Sequence, residues 1–403
     1  VYKRQVFRSE DGGHSWKRTT GRANIWGPPG IRAGWPIDFQ LDPGNPMRVF
    51  ANAYGGGAFL SNNGGHTWQD SSRGYTGAQI RRLAVARGNR NHVYASGRSG
   101  LFRSTDGGKK WQGLNFPPAI ELDWNALAVD PDNPQHLIAG NSWGVANLYE
   151  SHDGGQSWRI AHPLNPKTPM GWRCVAFAPS APSRAYAATG AFATASRWVN
   201  DRPAMGVFAS NDGGHSWSPA NDALSQYAQV SDLAVDPEFP SLVFAATTTS
   251  GVLKTTDGGK HWSKGAGLPP TARVLSIAIH PKNRGNIYCG VEQGGLYRSV
   301  DAGHTWSPFV AGGGMDPNAS VSDIVVDPRN PDVMYAADLF SGVYRFDPQS
   351  NSWRRINHGL KMRSVNALAV SSDGAAVYAG SEGNGVYRLD LPTLPMVRPL
   401  PDT

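Results

Sequence analysis

The 403-residue sequence has only two cysteines, Cys174 and Cys289, and only 17% charged residues. Two thiols in separate apolar stretches cannot staple a small fold, so they are read as buried free thiols rather than a disulfide or a metal pair. No apolar run approaches the roughly 18 residues that a spanning helix needs, so no membrane span is expected. The net charge is +7, but Lys and Arg are scattered singly. Without the basic runs that follow a phosphate backbone, nucleic acid is not an expected partner. Zinc-ligand spacing, a phosphate-cradling glycine loop and a nucleophile elbow are all missing, so no metal and no cofactor is expected.

What is plentiful is turn and wedge chemistry: 48 Gly, 30 Pro and 14 Trp, with 39% hydrophobic residues. That mixture suits many short strands joined by tight turns, and enough apolar surface to bury a large core. One string dominates. It starts as VFRSEDGGHSW at Val6 and returns at Ala58, Leu101, Leu148, Val207, Val252 and Leu296. A worn copy, VYRFDPQSNSW, begins at Val343, and VYRLDL at Val386 keeps the strand without the motif. The recurrence of about 47 residues matches one four-stranded propeller blade. Within a period the order is an inner strand a (VSDLAVDP at Val230), then b (LVFAAT at Leu242), c (GVLKTT at Gly251) and d near His261. The fold expected is all-β, a single β-propeller of about eight four-stranded blades, with seven as the alternative. Eight would require Val6 to Thr20 to complete the sheet begun by Val365 to Asp390, leaving no open edge.

The motif Ser/Thr-x-Asp-x-Gly-x-x-Trp resembles the Asp-box, or bacterial neuraminidase repeat, of sialidases, xyloglucan-cleaving propellers, sortilin-type receptors and photosystem assembly factors. Its residues have a packing logic of their own. An Asp such as Asp106 can accept backbone N–H groups in the c–d turn, Gly108 allows positive φ, and Trp111 fills the gap to a neighbouring sheet. A motif present in every blade meets a packing need, whereas catalysis needs asymmetry. The same reasoning covers Asp42, Asp130, Asp236 and Asp327, each before a Pro at an a–b turn.

Removing the repeat leaves the asymmetric residues. Trp26, Trp35, Trp124, Trp143, Trp172 and Trp198 all fall in d–a loops, b–c loops or strand-a starts, on the face opposite the Asp-boxes. Such indoles would stack on sugar rings, or fill the channel. Trp35, Tyr54, Trp124, Trp143, Trp172, Trp198 and Arg202 are the expected substrate contacts, the last two carried over the pocket by the long connection Thr189 to Gly206. Acids gather on the same face. Glu292, Asp338 and Glu382 occupy three consecutive b–c loops, and Asp38, Asp232 and Asp323 share a position near the start of strand a. A glycoside hydrolase needs two carboxylates about 5 to 10 Å apart, so Glu292, Asp338, Glu382 and Asp323 are the catalytic candidates.

The xyloglucan-cleaving family carries a catalytic Asp in a b–c loop of the form ARTD-x-GGAYR. The resemblance places Glu292 of YCGVEQGGLYR there, and Tyr54 at that position in FANAYGGGAF. Sialidases use six blades, an Arg-Ile-Pro segment and an arginine triad. This chain has more repeats and offers only Gly30-Ile31-Arg32-Ala33, with Arg32, Arg82, Arg98, Arg173 and Arg197 towards the pocket. Two readings remain. One is a carbohydrate-active propeller, a hydrolase or a polysaccharide binder, secreted or periplasmic and monomeric; the other is a non-catalytic scaffold for a protein partner. Residues 1–5 read as a translated sequencing adapter, which would place the natural start, and any signal peptide, upstream. Residues 6–391 are assigned to the propeller and 392–403 to a tail.

Overall fold

The computed structural model describes residues 6–18, 31–32, 35–54, 58–71, 79–98, 100–114, 120–121, 123–141, 146–163, 171–190, 205–221, 229–309 and 312–391. The adapter-like residues 1–5, the tail 392–403 and most of the long connection, 191–204, lie outside them. All regular structure within them is β.

Seven four-stranded antiparallel sheets and one three-stranded sheet follow one another along the chain. Seven of these eight make the ring. Their inner strands are Ile80–Val85, Trp124–Val129, Gly171–Phe177, Val230–Val235, Val274–Ile279, Val321–Val326 and Val365–Val370, each against the next. The last, Val365–Val370, lies directly against the first. Asn366 Nδ2 donates to Ile80 O at 2.9 Å, and Tyr378 Oη to Gly107 O at 2.9 Å. Gly380 is needed at this seam, because a Cβ there would come within 2.5 Å of Ile80 Cγ2.

The ring is therefore seven-bladed, the alternative count. Phe7–Arg8 pairs with Lys17–Arg18 as a hairpin of its own instead of completing the last sheet, which stays three-stranded among the described residues. The sheet of Trp35–Asp42, Asn45–Tyr54, Ala58–Ser61 and Gln69–Asp70 is blade-like but not inserted between the first and seventh blades. Direct packing across that seam leaves no place for an eighth inner strand. The segment before this sheet joins the ring's edge: Ile31–Arg32 pairs in parallel with Ile120–Glu121.

The Asp-box turns are fastened as their chemistry requires. Ser104 Oγ donates to Asp106 Oδ1 at 2.8 Å and accepts Gly108 N at 2.7 Å, while Asp106 Oδ1 accepts the N–H groups of Lys109 and Lys110. Gly107 and Gly108 sit at φ 71° and 85°, where a side chain would be strained. The hydrogen-bonded turns hold Asp153 and Asp212 down at about 2 against the opposing effect of burial. Each ring tryptophan wedges against the blade before its own. Trp158 packs on Tyr94 and Leu101, Trp217 on Ile138 and Leu148, and Trp353 on Tyr288 and Leu296. Trp111 meets Val386 of the seventh blade. Trp16, on the separate hairpin, is 62% exposed.

Candidate functional site

The centre of the ring is built by a repeated irregularity. Every inner strand carries a β-bulge near its start, at Arg81, Asn125, Arg173, Ser231, Leu275, Ser322 and Asn366. A bulge re-aims side chains locally, and here several reach the next blade. Ser322 Oγ donates to Val365 O at 2.7 Å, and Ser231 Oγ donates to Val274 O. One residue further on, Asp232 Oδ2 accepts Ile277 N at 3.1 Å and Asp323 Oδ2 accepts Leu368 N at 2.7 Å, again from the following blade.

These two acids share the central channel with Arg82. Its guanidinium spans from the first blade to the fourth, donating to Ser231 O at 2.7 Å and pairing with Asp232 Oδ1 at 3.1 Å. Desolvation pushes Asp323 up to about 7, opposed by Arg82 and reinforced by Asp232. Burial, with Arg82 adding like charge, lowers Arg173 to about 9. Cys174 is a buried free thiol raised to about 12 by desolvation, and Cys289 is also buried and free.

The expected site residues divide accordingly. Asp323 is in the channel, only 9% exposed, with its oxygens on Leu368 N and Ile324 N. Asp338 is buried at 3% and ties its b–c loop to the d–a connection, accepting Ser341 N at 2.8 Å and Ser320 N at 2.7 Å. Glu292 and Glu382 stay partly exposed at the channel mouth. Glu292 pairs with Arg273; Glu382 accepts Asn366 Nδ2 at 2.6 Å and lies 3.9 Å from Arg81. Asp38 shares the register of Asp232 and Asp323, but its sheet is outside the ring, so it is exposed and accepts Phe39 N and Gln40 Nε2.

Two expected sugar platforms are corrected. Trp124 and Trp172 are both fully buried, Trp124 against Tyr149 and Trp158, Trp172 against His162 and Phe208. Neither offers a ring face to a ligand. The first residue of strand a packs between blades, as the equally buried Val230, Val274, Val321 and Val365 show. Trp35 and Tyr54 face each other as strand partners, with their side chains outside the described residues. Trp26, Trp143, Trp198 and Arg202 lie outside them altogether.

Sequence reasoning noted Glu292 and Glu382 and placed Arg98 towards the pocket, but missed Asp123, Arg81 and Arg273 and the pairing of all six. Arg273 with Glu292, Arg98 with Asp123 and Arg81 with Glu382 set both signs of charge side by side round the d–a/b–c face. The partners of each pair are 19 to 301 positions apart in the chain, so no local motif announces them. At the opposite end of the ring the a–b turns form an apolar bowl of about 450 Å³, rimmed by Pro179, Pro237, Pro281 and Pro328.

Comparisons with known proteins agree with this architecture. A family model described as Sortilin-Vps10 (sortilin, neurotensin receptor 3) matches residues 56–179. A xyloglucanase from Paenibacillus sp. is 26% identical over 274 residues, covering 67% of this chain and 24% of that protein. The chain thus spans about a quarter of that relative's length. Among solved structures, YCF48 bound to D1 peptide superposes with a TM-score of 0.57 at 16% identity, covering 79% of this chain and 94% of that one. YCF48 from Cyanidioschyzon merolae gives 0.50 at 15%, covering 78% and 95%. The chain is a β-propeller of the Asp-box, or BNR-repeat, superfamily.

Proposed function

We propose that this propeller binds a neutral polysaccharide on its d–a/b–c face. The observation that carries the reading is the mixed-sign character of the channel mouth, where the partly exposed Arg273, Glu292, Arg98 and Glu382 each pair with a group of opposite sign, Arg81 and Asp123 being buried behind them. Such a rim presents paired donors and acceptors to hydroxyls, and lacks the single-sign field that would collect phosphate or another polyanion. The xyloglucanase match supports a carbohydrate ligand.

Cleavage is the narrower form of the same proposal. Of the four candidate acids, Glu292 and Glu382 keep access to the mouth, whereas Asp338 and Asp323 are buried with backbone N–H groups on their oxygens. A hydrolase would therefore depend on Glu292 and Glu382. The test pairs calorimetric titration against xyloglucan and other neutral glucans with measurement of released reducing ends. Binding without release supports a binding module. Release that disappears in Glu292→Gln makes it a hydrolase, and failure to bind any neutral polysaccharide overturns the proposal. In the binding case Arg273→Gln should weaken affinity by about 1 kcal/mol, the worth of one polar contact.

A further inference from the structure

The Asp-box face holds a group of side chains that the repeat does not call for. In strand c, the residue before the Asp-box Ser/Thr is Arg103, Lys254 or Arg298 in the first, fourth and fifth blades and Ala209 in the third, each opposite an aromatic strand-b partner, and the cation lies near that ring at Lys254 and Arg298. The second blade breaks both halves of that arrangement. Glu150 replaces the cation and pairs with Ile138 in place of an aromatic residue. Glu150 is 2% exposed, and a buried carboxylate at a position that holds a cation or alanine in the neighbouring blades needs its own partners.

Two imidazoles supply them. His136 Nε2 lies 3.1 Å from Glu150 Oε1, and His152 Nε2 lies 2.9 Å from the same oxygen. The two rings stack with centroids 4.5 Å apart. On its far side His136 directs Nδ1 at Asp130 Oδ2, 2.8 Å away. With Nδ1 committed as the donor to Asp130, neutral His136 presents a bare lone pair at Nε2. A direct hydrogen bond to Glu150 would then need a second proton on the ring. Either that second proton or a cation between the three atoms satisfies both carboxylates, and a metal ion would displace the proton.

We propose that His136, Glu150 and His152 bind a divalent transition-metal ion, zinc by preference, through Nε2, Oε1 and Nε2. Tetrahedral zinc with bonds of about 2.0–2.1 Å sets its ligand atoms about 3.3 Å apart, close to the 2.9 and 3.1 Å separations here. Asp130 completes the carboxylate–histidine–metal relay that fixes ring tautomer and orientation. Arg159 pairs with the other oxygen, Oε2, and leaves Oε1 to the ion. His215 of the third blade's Asp-box meets Arg159 through Nδ1 on the Oε2 side, away from the ion, so the fourth position is left to solvent. The ion would fasten the a–b turn of the second blade to that blade's strand c and Asp-box, on the face away from the proposed glycan site, so the inference stands whatever the polysaccharide experiments show.

The experiment uses the full chain, stripped with a chelator, tag-free, and titrated with zinc chloride in a calorimeter, with melting temperature followed in parallel. One equivalent should bind, releasing protons, and should raise the melting temperature. His152→Ala removes a ligand that is 60% exposed and so leaves the fold intact. It should cost about tenfold or more in affinity, since losing even a residue that only hydrogen-bonds to a metal ligand costs that much, and abolish the thermal shift. His261→Ala, at an exposed Asp-box histidine in the fourth blade, should change neither. Absence of stoichiometric binding, or binding unaltered in His152→Ala, overturns the proposal.

Discussion

Replacing Arg82 by Met tests the account of the channel. The side chain keeps its apolar length but loses the cation that spans to Asp232 Oδ1 at 3.1 Å and the donor to Ser231 O. At an effective dielectric of about 20, the Coulomb attraction at that separation is about 5 kcal/mol. Removing one member of a buried pair typically costs about 3–5 kcal/mol, because the other charge is stranded. The loss should depend on pH in a definite direction. Asp323 is already raised to about 7, chiefly by desolvation, and Arg82 is the group pulling it down. Without Arg82 it rises further. A carboxyl raised above its unfolded value contributes its stability fully below that value, about 4, and loses it as pH climbs through the folded pKa. The deficit of Arg82→Met relative to wild type should thus be largest near pH 8 and shrink towards about pH 4.5. Guanidinium denaturation followed by tryptophan fluorescence at both pH values measures it. Adding Asp323→Asn should recover part of the loss at the higher pH. A deficit equal at both pH values, with no recovery in the double variant, would refute a charge-based account and leave only lost packing.

Two further outcomes follow from the fold. Trp172→Ala opens a cavity between the second and third blades, where Gly140 lies directly against Trp172 Cβ; it should cost about 3–5 kcal/mol in denaturant titration, without specific loss of polysaccharide binding beyond that due to unfolding. The Asp-box carboxylates, lowered in the fold, contribute stability above about pH 4 that is lost as pH falls towards about 2. Asp153→Asn and Asp212→Asn should therefore flatten the acid limb of thermal stability, modestly because both turns are solvent-screened.

The repeat was legible because its demands are local. Ser, Asp, Gly and Trp must fall at fixed offsets for one turn to close, and Pro after Asp marks the a–b turns. Ring closure was not local. Whether Val6 to Thr20 or nothing completes the last sheet depends on how Gly380 meets Ile80, nearly the whole ring away in sequence. The burial of Trp124 and Trp172 was readable in part, since Val occupies the same register in four later blades and a position that accepts Val is a packing position. The indole's frequent use in sugar binding outweighed that signal. Arg82, Asp232 and Asp323 come from blades that meet only at the centre, so their partnership emerges from the ring alone. The exchange of cation for Glu150 was visible in LYES against LFRS, but it gains chemical meaning only once His136 and His152 arrive beside it.

The tryptophan wedges give the ring a direction. Each one seals the blade made before its own, so a chain emerging from the ribosome can finish blades in order, one step behind synthesis. Trp111 is the exception, since the blade it seals is the last to be made. Until then the first blade carries an unburied indole and a bare inner strand edge. Vectorial assembly thus ends in a single latching event, and the seam between first and seventh blades is where opening or domain exchange would begin.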